Sequence, residues 1–118
     1  MATNLSCPAS PNCVSTQATD DGHAIAPFRY RKSRAEAKEA LKDIIRTLPR
    51  AKLVEEDESS LRYEFTSLLF RFVDDVEFLF DDHAKTIHFR SASRTGYSDL
   101  GVNRRRMEEI RSLVEGKL

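Results

Sequence analysis

Tryptophan is absent from this 118-residue chain, and glycine, proline and cysteine are scarce, at four, four and two residues. Gly96 and Gly101 stand too far apart to build a phosphate-cradling loop, and they suit tight turns instead. The two cysteines, Cys7 and Cys13, form no Cys-x-x-Cys pair; with His23 as a third ligand a structural zinc site would still want a fourth. No apolar run is long enough to span a bilayer, and Met1 to Asp21 has neither the charged nor the apolar segment of a secretion signal, so a cytoplasmic address is expected. Nor is there a surplus of charge: nineteen basic and nineteen acidic side chains cancel. Nothing in that balance attracts nucleic acid or an anionic membrane, and binding of either kind would need a local patch.

What is present suits one globular domain. The length allows a single hydrophobic core, the composition is 40% hydrophobic and 32% charged, and seven phenylalanines supply much of the apolar volume. Residues 1–32 are rich in Ser, Thr, Pro, Asn and Asp without helical or strand period and read as an irregular arm, with Pro27 to Arg31 extended against the domain formed by 33–118.

Ser33-Arg34-Ala35-Glu36 has the form of a capping box. Ala37, Leu41, Ile44, Ile45 and Leu48 then make one apolar helical stripe that Pro49 ends. Lys52 to Glu56 and Ser60 to Ser67 read as a hairpin turning at Asp57-Glu58-Ser59. In Arg71 to Asp81, alternation sends Phe72, Val76, Phe78 and Phe80 to one face and Arg71, Asp75, Glu77 and Asp81 to the other. After a turn at Asp82 to Lys85, Thr86 to Ala92 continues the pattern, in a register that sets Phe80 against Ile87, Phe78 against Phe89 and Glu77 against Arg90. Asn103 caps a last helix whose stripe is Met107, Ile110, Leu113 and Val114. The expected fold is α+β: a two-layer sandwich with a mainly antiparallel four-stranded sheet and both helices on one face.

Three segments stand apart from this patterning: Cys7-Pro8-Ala9-Ser10-Pro11-Asn12-Cys13-Val14-Ser15, Asp74-Asp75-Val76-Glu77, and the stretch from Arg90-Ser91-Ala92-Ser93-Arg94 through Gly96, Asp99, Gly101 and Asn103 to Arg106. In this order they resemble the family of domain of unknown function 1499, and the resemblance runs from about Cys7 to Val114. It identifies a family and implies no reaction.

Each segment has a chemistry of its own. Five residues, two of them proline, separate Cys7 from Cys13; they can close a local disulfide in an oxidising compartment or remain thiols in a reducing one. Asp74, Asp75 and Glu77 are oxygen ligands of the kind calcium and magnesium take, but alternation leaves only Asp75 and Glu77 on the wet face, and their spacing is not that of an EF-hand. A buried Asp74 needs a cation, Arg94 or Arg104, unless a bulge turns it outward. Arg90, Arg94 and Arg104, with Ser91, Ser93 and the helix start at Asn103, offer guanidinium forks, hydroxyls and free amides to a phosphate or carboxylate. The same arginines can instead be satisfied internally, in ion pairs that draw on Asp74, Asp75, Glu77 and Asp99. Tyr97 is the sole aromatic amid this basic stretch, so a stacking platform for nucleic acid is missing. His23, His83 and His88 have no local nucleophile partner.

The function expected from the residues is a non-enzymatic binding module in which the arginine-serine loop holds a small anion or an acidic segment of a partner. The alternatives are a metal-dependent or hydrolytic enzyme built on Asp75 and Glu77, and a purely structural carboxylate-arginine network. No cofactor is named by any of these segments.

Overall fold

The computed structural model describes residues 4–118, so the first three residues of the arm lie outside the described residues. Eight elements follow in chain order: β1 (Cys13–Ser15), β2 (Phe28–Arg29), α1 (Arg34–Arg46), β3 (Ala51–Asp57), β4 (Ser60–Thr66), β5 (Val73–Asp81), β6 (Thr86–Ser93) and α2 (Val102–Val114). The capping box forms as the sequence predicts: Ser33 Oγ accepts from the Glu36 amide at 3.1 Å, and the Glu36 carboxylate accepts from the Ser33 amide at 3.3 Å. Of the α1 stripe, Ala37, Leu41 and Ile45 are fully buried, while Ile44 and Leu48 pack at its margin.

The four long strands make an antiparallel meander in which β6, β5, β4 and β3 lie side by side. The β5–β6 register is the one expected, with Phe80 opposite Ile87, Phe78 opposite Phe89 and Glu77 opposite Arg90. Alternation places Leu61, Tyr63 and Phe65 of β4, Val76, Phe78 and Phe80 of β5, and Ile87 and Phe89 of β6 in one core cluster with Ala37, Leu41 and Ile45 of α1 and Met107, Ile110 and Val114 of α2.

The fold is α+β with a mainly antiparallel, open sheet, but the expected count of four strands is too low. The sheet has six, because β1 and β2 of the arm both pair antiparallel with the outer edge of β6. β1 takes Arg90, Ser91 and Ala92, and β2 takes Thr86 and Ile87. Strands of three and two residues are too short to show a period in sequence, and what makes them is the demand of β6 for partners along its second edge. The arm also contributes Leu5, Val14, Ile25, Phe28 and Tyr30 as buried side chains.

A second difference lies at the start of β5. The strand begins at Val73 and not at Arg71, and Phe72 is exposed rather than part of the core. Residues 67–72 form a loop closed by the Ser67 amide donating to the Phe72 carbonyl at 2.8 Å, with Arg71 in the left-handed region at φ 59°.

Candidate functional site

The residues singled out in the sequence do not gather at one point; they fall on opposite faces of the sheet. On the open face, Arg94 follows the end of β6 and reaches over β5 to β4. Its Nε and Nη2 each donate to one oxygen of Asp75 at 2.9 Å, and Nη2 also reaches Glu64 at 2.6 Å. Asp75 takes a further bond from Arg62 at 3.2 Å, and Arg62 also meets Glu55. Asp75 and then Glu64 hold the Arg94 guanidinium protonated beyond the ordinary arginine range. Next along the face, Arg90 lies 3.5 Å from Glu77, while its buried Nε has no partner. Among the described residues no group of three or more His, Cys, Asp or Glu side chains is placed to hold a metal ion, and Asp75 and Glu77 both face arginines instead.

Across the sheet, Ser91, Ser93 and Asn103 belong to a second, buried network. Asn103 is wholly buried. Its Nδ2 donates to Asp99 at 2.8 Å, to Ser93 Oγ at 3.0 Å and to the Asn12 carbonyl at 3.2 Å. Its Oδ1 accepts from Ser91 Oγ at 2.6 Å and from Arg106 at 2.9 Å. Arg106 then donates to Asp74 at 2.7 Å and lies over the Phe65 ring at 4.8 Å. The buried Asp74 therefore pairs with Arg106, not with Arg94 or Arg104, because Asp74 shares the core face with Phe65 and Val76 and Arg106 is the arginine that α2 turns toward that face. The spacing from Asn103 to Arg106 carries this signal in sequence, since residues three apart share a helix side.

The start of α2 is also built differently from expectation. Gly101, at φ 80°, is the residue before the helix, and Asn103 sits inside the first turn. Asp99 does the capping: its carboxylate accepts from the Gly101 amide at 2.8 Å and from the Asn103 amide at 3.0 Å. Burial pushes the Asp99 carboxyl up, but these bonds, with the one from the Asn103 side chain, outweigh it and hold it below 3.8. A side chain at Gly101 would meet Arg105 Nη1 at 3.1 Å and would strain the left-handed backbone. Arg104 points elsewhere, donating to the Ala24 carbonyl at 2.9 Å and the Gly22 carbonyl at 3.4 Å, so it ties α2 to the arm.

The arm has its own fastening. Cys7 and Cys13 are joined by a disulfide, beside the buried Leu5 and Ser15. His23 sits between the Ser10 carbonyl at 2.8 Å and Asp20 at 2.6 Å. The Ser10 carbonyl and then Asp20 favour the charged imidazolium and raise the His23 pKa above its ordinary 6.5. A group whose pKa rises on folding stabilises fully below its unfolded value and loses that contribution as pH passes its folded value. Thermal unfolding is therefore expected to show a declining melting temperature as pH rises from 6.5 upward, and His23→Gln to flatten that slope. An unchanged slope in the variant would sink the assignment.

One region leaves large apolar side chains uncovered. The loop 67–72 and the loop between β6 and α2 sit at the same end of the sheet, where the Arg94 amide donates to the Val73 carbonyl at 3.1 Å. There Leu68, Leu69, Phe70 and Phe72 are 70, 78, 70 and 58% exposed, and Tyr97 and Leu100 are 72 and 83% exposed. The loop 67–72 runs into β5 and the other loop runs out of β6 where Asp74 pairs with Ser93, and Leu68 lines a groove with Arg50, Glu109 and Val102 at the start of α2. Of this cluster only Phe72 falls within the alternation read as a strand, while Leu68, Leu69 and Phe70 make a short consecutive run, too brief for a period to say which face they take.

A family model described as "Protein of unknown function (DUF1499)" matches residues 5–114. No curated protein and no solved structure matches the chain.

Proposed function

This chain belongs to the DUF1499 family, and on that premise we propose that it is a non-enzymatic binding module whose motif residues form the scaffold and whose two exposed loops form the binding surface. The observation that carries the reading is the contrast between the two. Asp74, Asp75 and Glu77 of the motifs are turned on Arg106, on Arg94 and Arg62, and on Arg90, whereas large apolar side chains of residues 68–72 and 97–100 stand in water.

An anion arriving at the arginine-serine loop would have to displace a carboxylate of the chain itself. Arg94 already holds Asp75 and Glu64, and Asp99 occupies the amides at the start of α2. A divalent cation at Asp75 would have to evict Arg62 and Arg94. The closed Cys7–Cys13 bridge supports an oxidising compartment for the folded protein; among the described residues no helix is long and apolar enough to cross a membrane.

The test is a thermal-shift screen at fixed ionic strength. Phosphate, sulfate, magnesium, calcium and manganese are each expected to leave the melting temperature where chloride leaves it. A saturable rise with phosphate that vanishes in Arg94→Ala would restore the anion site, and one with a divalent cation that vanishes in Asp75→Asn would restore the metal-dependent enzyme.

A further inference from the structure

We propose that the loop end of the sheet docks on an anionic membrane surface, with the side chains of Leu68 to Phe72 entering the headgroup boundary and exposed arginines meeting the lipid phosphates. This rests on the binding-module reading and names its partner. The apolar part has the right shape: Leu68, Leu69, Phe70 and Phe72 protrude from one short loop, and the Phe70 and Phe72 rings stack on each other at 5.7 Å rather than on the core. A peptide partner recognised as a helix or a strand would take the groove beside Leu68 or the free edge of β3, and Leu69, Phe70 and Phe72 lie on neither. A protruding tip of leucine and phenylalanine suits the apolar boundary of a fluid interface, as the apolar face of an interfacial helix does.

Charge selects the surface. Arg50, Arg71 and Arg105 are exposed at this end, and among the described residues no carboxylate lies within ion-pair distance of any of them. Arg50 and Arg105 are aimed by backbone carbonyls, those of Thr66 and Leu100, at 3.0 and 2.7 Å. The one acid of the two loops, Asp99, is turned inward onto the α2 amides, which leaves Glu109 as the acid on the adjoining groove. A second copy docked here about a two-fold axis would set arginines against arginines, whereas phosphates complement them. Backbone strain points to the same place. Four non-glycine residues have positive φ, and three of them, Arg50, Arg71 and Leu100, belong to this end.

The experiment is co-sedimentation of the full, disulfide-intact chain with vesicles of phosphatidylcholine alone and of phosphatidylcholine with phosphatidylglycerol. Binding is expected to the anionic vesicles, falling as salt is added, and weaker by on the order of fivefold for each arginine charge removed, as Arg71→Gln reports. Leu69→Ser/Phe70→Ser is expected to weaken it by about tenfold or more while leaving the urea midpoint unchanged, since neither side chain enters the core. As the sequence has no tryptophan, Phe70→Trp adds a single indole whose emission shifts to the blue on the anionic vesicles and not on the neutral ones. Equal binding to both vesicle types, or binding indifferent to the loop variants, overturns the proposal. So does the absence of binding. In that case, self-association by light scattering that disappears in Leu69→Ser/Phe70→Ser would leave the binding-module reading standing with a different partner, whereas a phosphate shift abolished by Arg94→Ala or a metal shift abolished by Asp75→Asn would remove that reading itself.

Discussion

Arg106→Met is expected to lower the unfolding free energy by about 3 kcal/mol, read as a drop in the urea midpoint at unchanged slope, because it leaves Asp74 charged and unpaired within the fold. The side chains of Arg106 and Asp74 are only 14 and 11% exposed. Methionine keeps much of the packing over Phe65 but supplies no donor to Asp74, Ser91 or Asn103. The companion variant Asp74→Leu/Arg106→Met removes both charges, and it is expected to recover most of the loss, since an apolar pair in a buried site is often no worse than the ion pair it replaces. A single-variant cost below about 1 kcal/mol would show the pair to be solvated like a surface one.

The second large effect is expected from Asn103→Asp, an almost isosteric change that opens no cavity. Three donor bonds from Nδ2 vanish at once, and an oxygen faces the Asp99 carboxylate where 2.8 Å now separates nitrogen from oxygen. The cost is expected to be about 3–4 kcal/mol at neutral pH, from unpaired buried acceptors and two like charges in contact. Protonation of the pair restores a donor, so the deficit relative to the parent narrows as pH falls toward 4, a trend that urea titrations at several pH values would follow. A deficit independent of pH would mean that shape, and not the hydrogen-bond pattern, is what position 103 must satisfy.

Both variants bear on how far the sequence could be read. The α1 cap, the α1 stripe, the central hairpins and the β5–β6 register are local or periodic features, legible because burial of one face imposes period on the residues; of the expected α2 stripe Met107, Ile110 and Val114 are buried, but Leu113 is exposed. The short strands of the arm carry no period, and their place is decided by the unpaired edge of β6. A linear reading puts Arg90, Ser91, Ser93 and Arg94 in one basic loop. The pleat separates them: Arg90 and Arg94 go to the open face, and Ser91 and Ser93 go to Asn103 on the other. Likewise Asp74 called for a cation, and its choice of Arg106 depends on which side of α2 lies over Phe65.

The pairing of β1 with β6 also fixes an order of events. Cys13, Val14 and Ser15 are synthesised long before Ala92, Ser91 and Arg90, the residues they pair with, so the segment that fills the last edge of the sheet is the first of the strands to leave the ribosome. Closing so wide a loop of chain costs entropy before any contact repays it, so the meander of β3 to β6 is expected to form ahead of the edge, an order that pulse-labelled hydrogen exchange would follow. Until the arm arrives, β6 presents an open edge to its neighbours. The Cys7–Cys13 bridge closes the residues leading into β1 into one small loop, which leaves that segment fewer conformations to lose when it pairs.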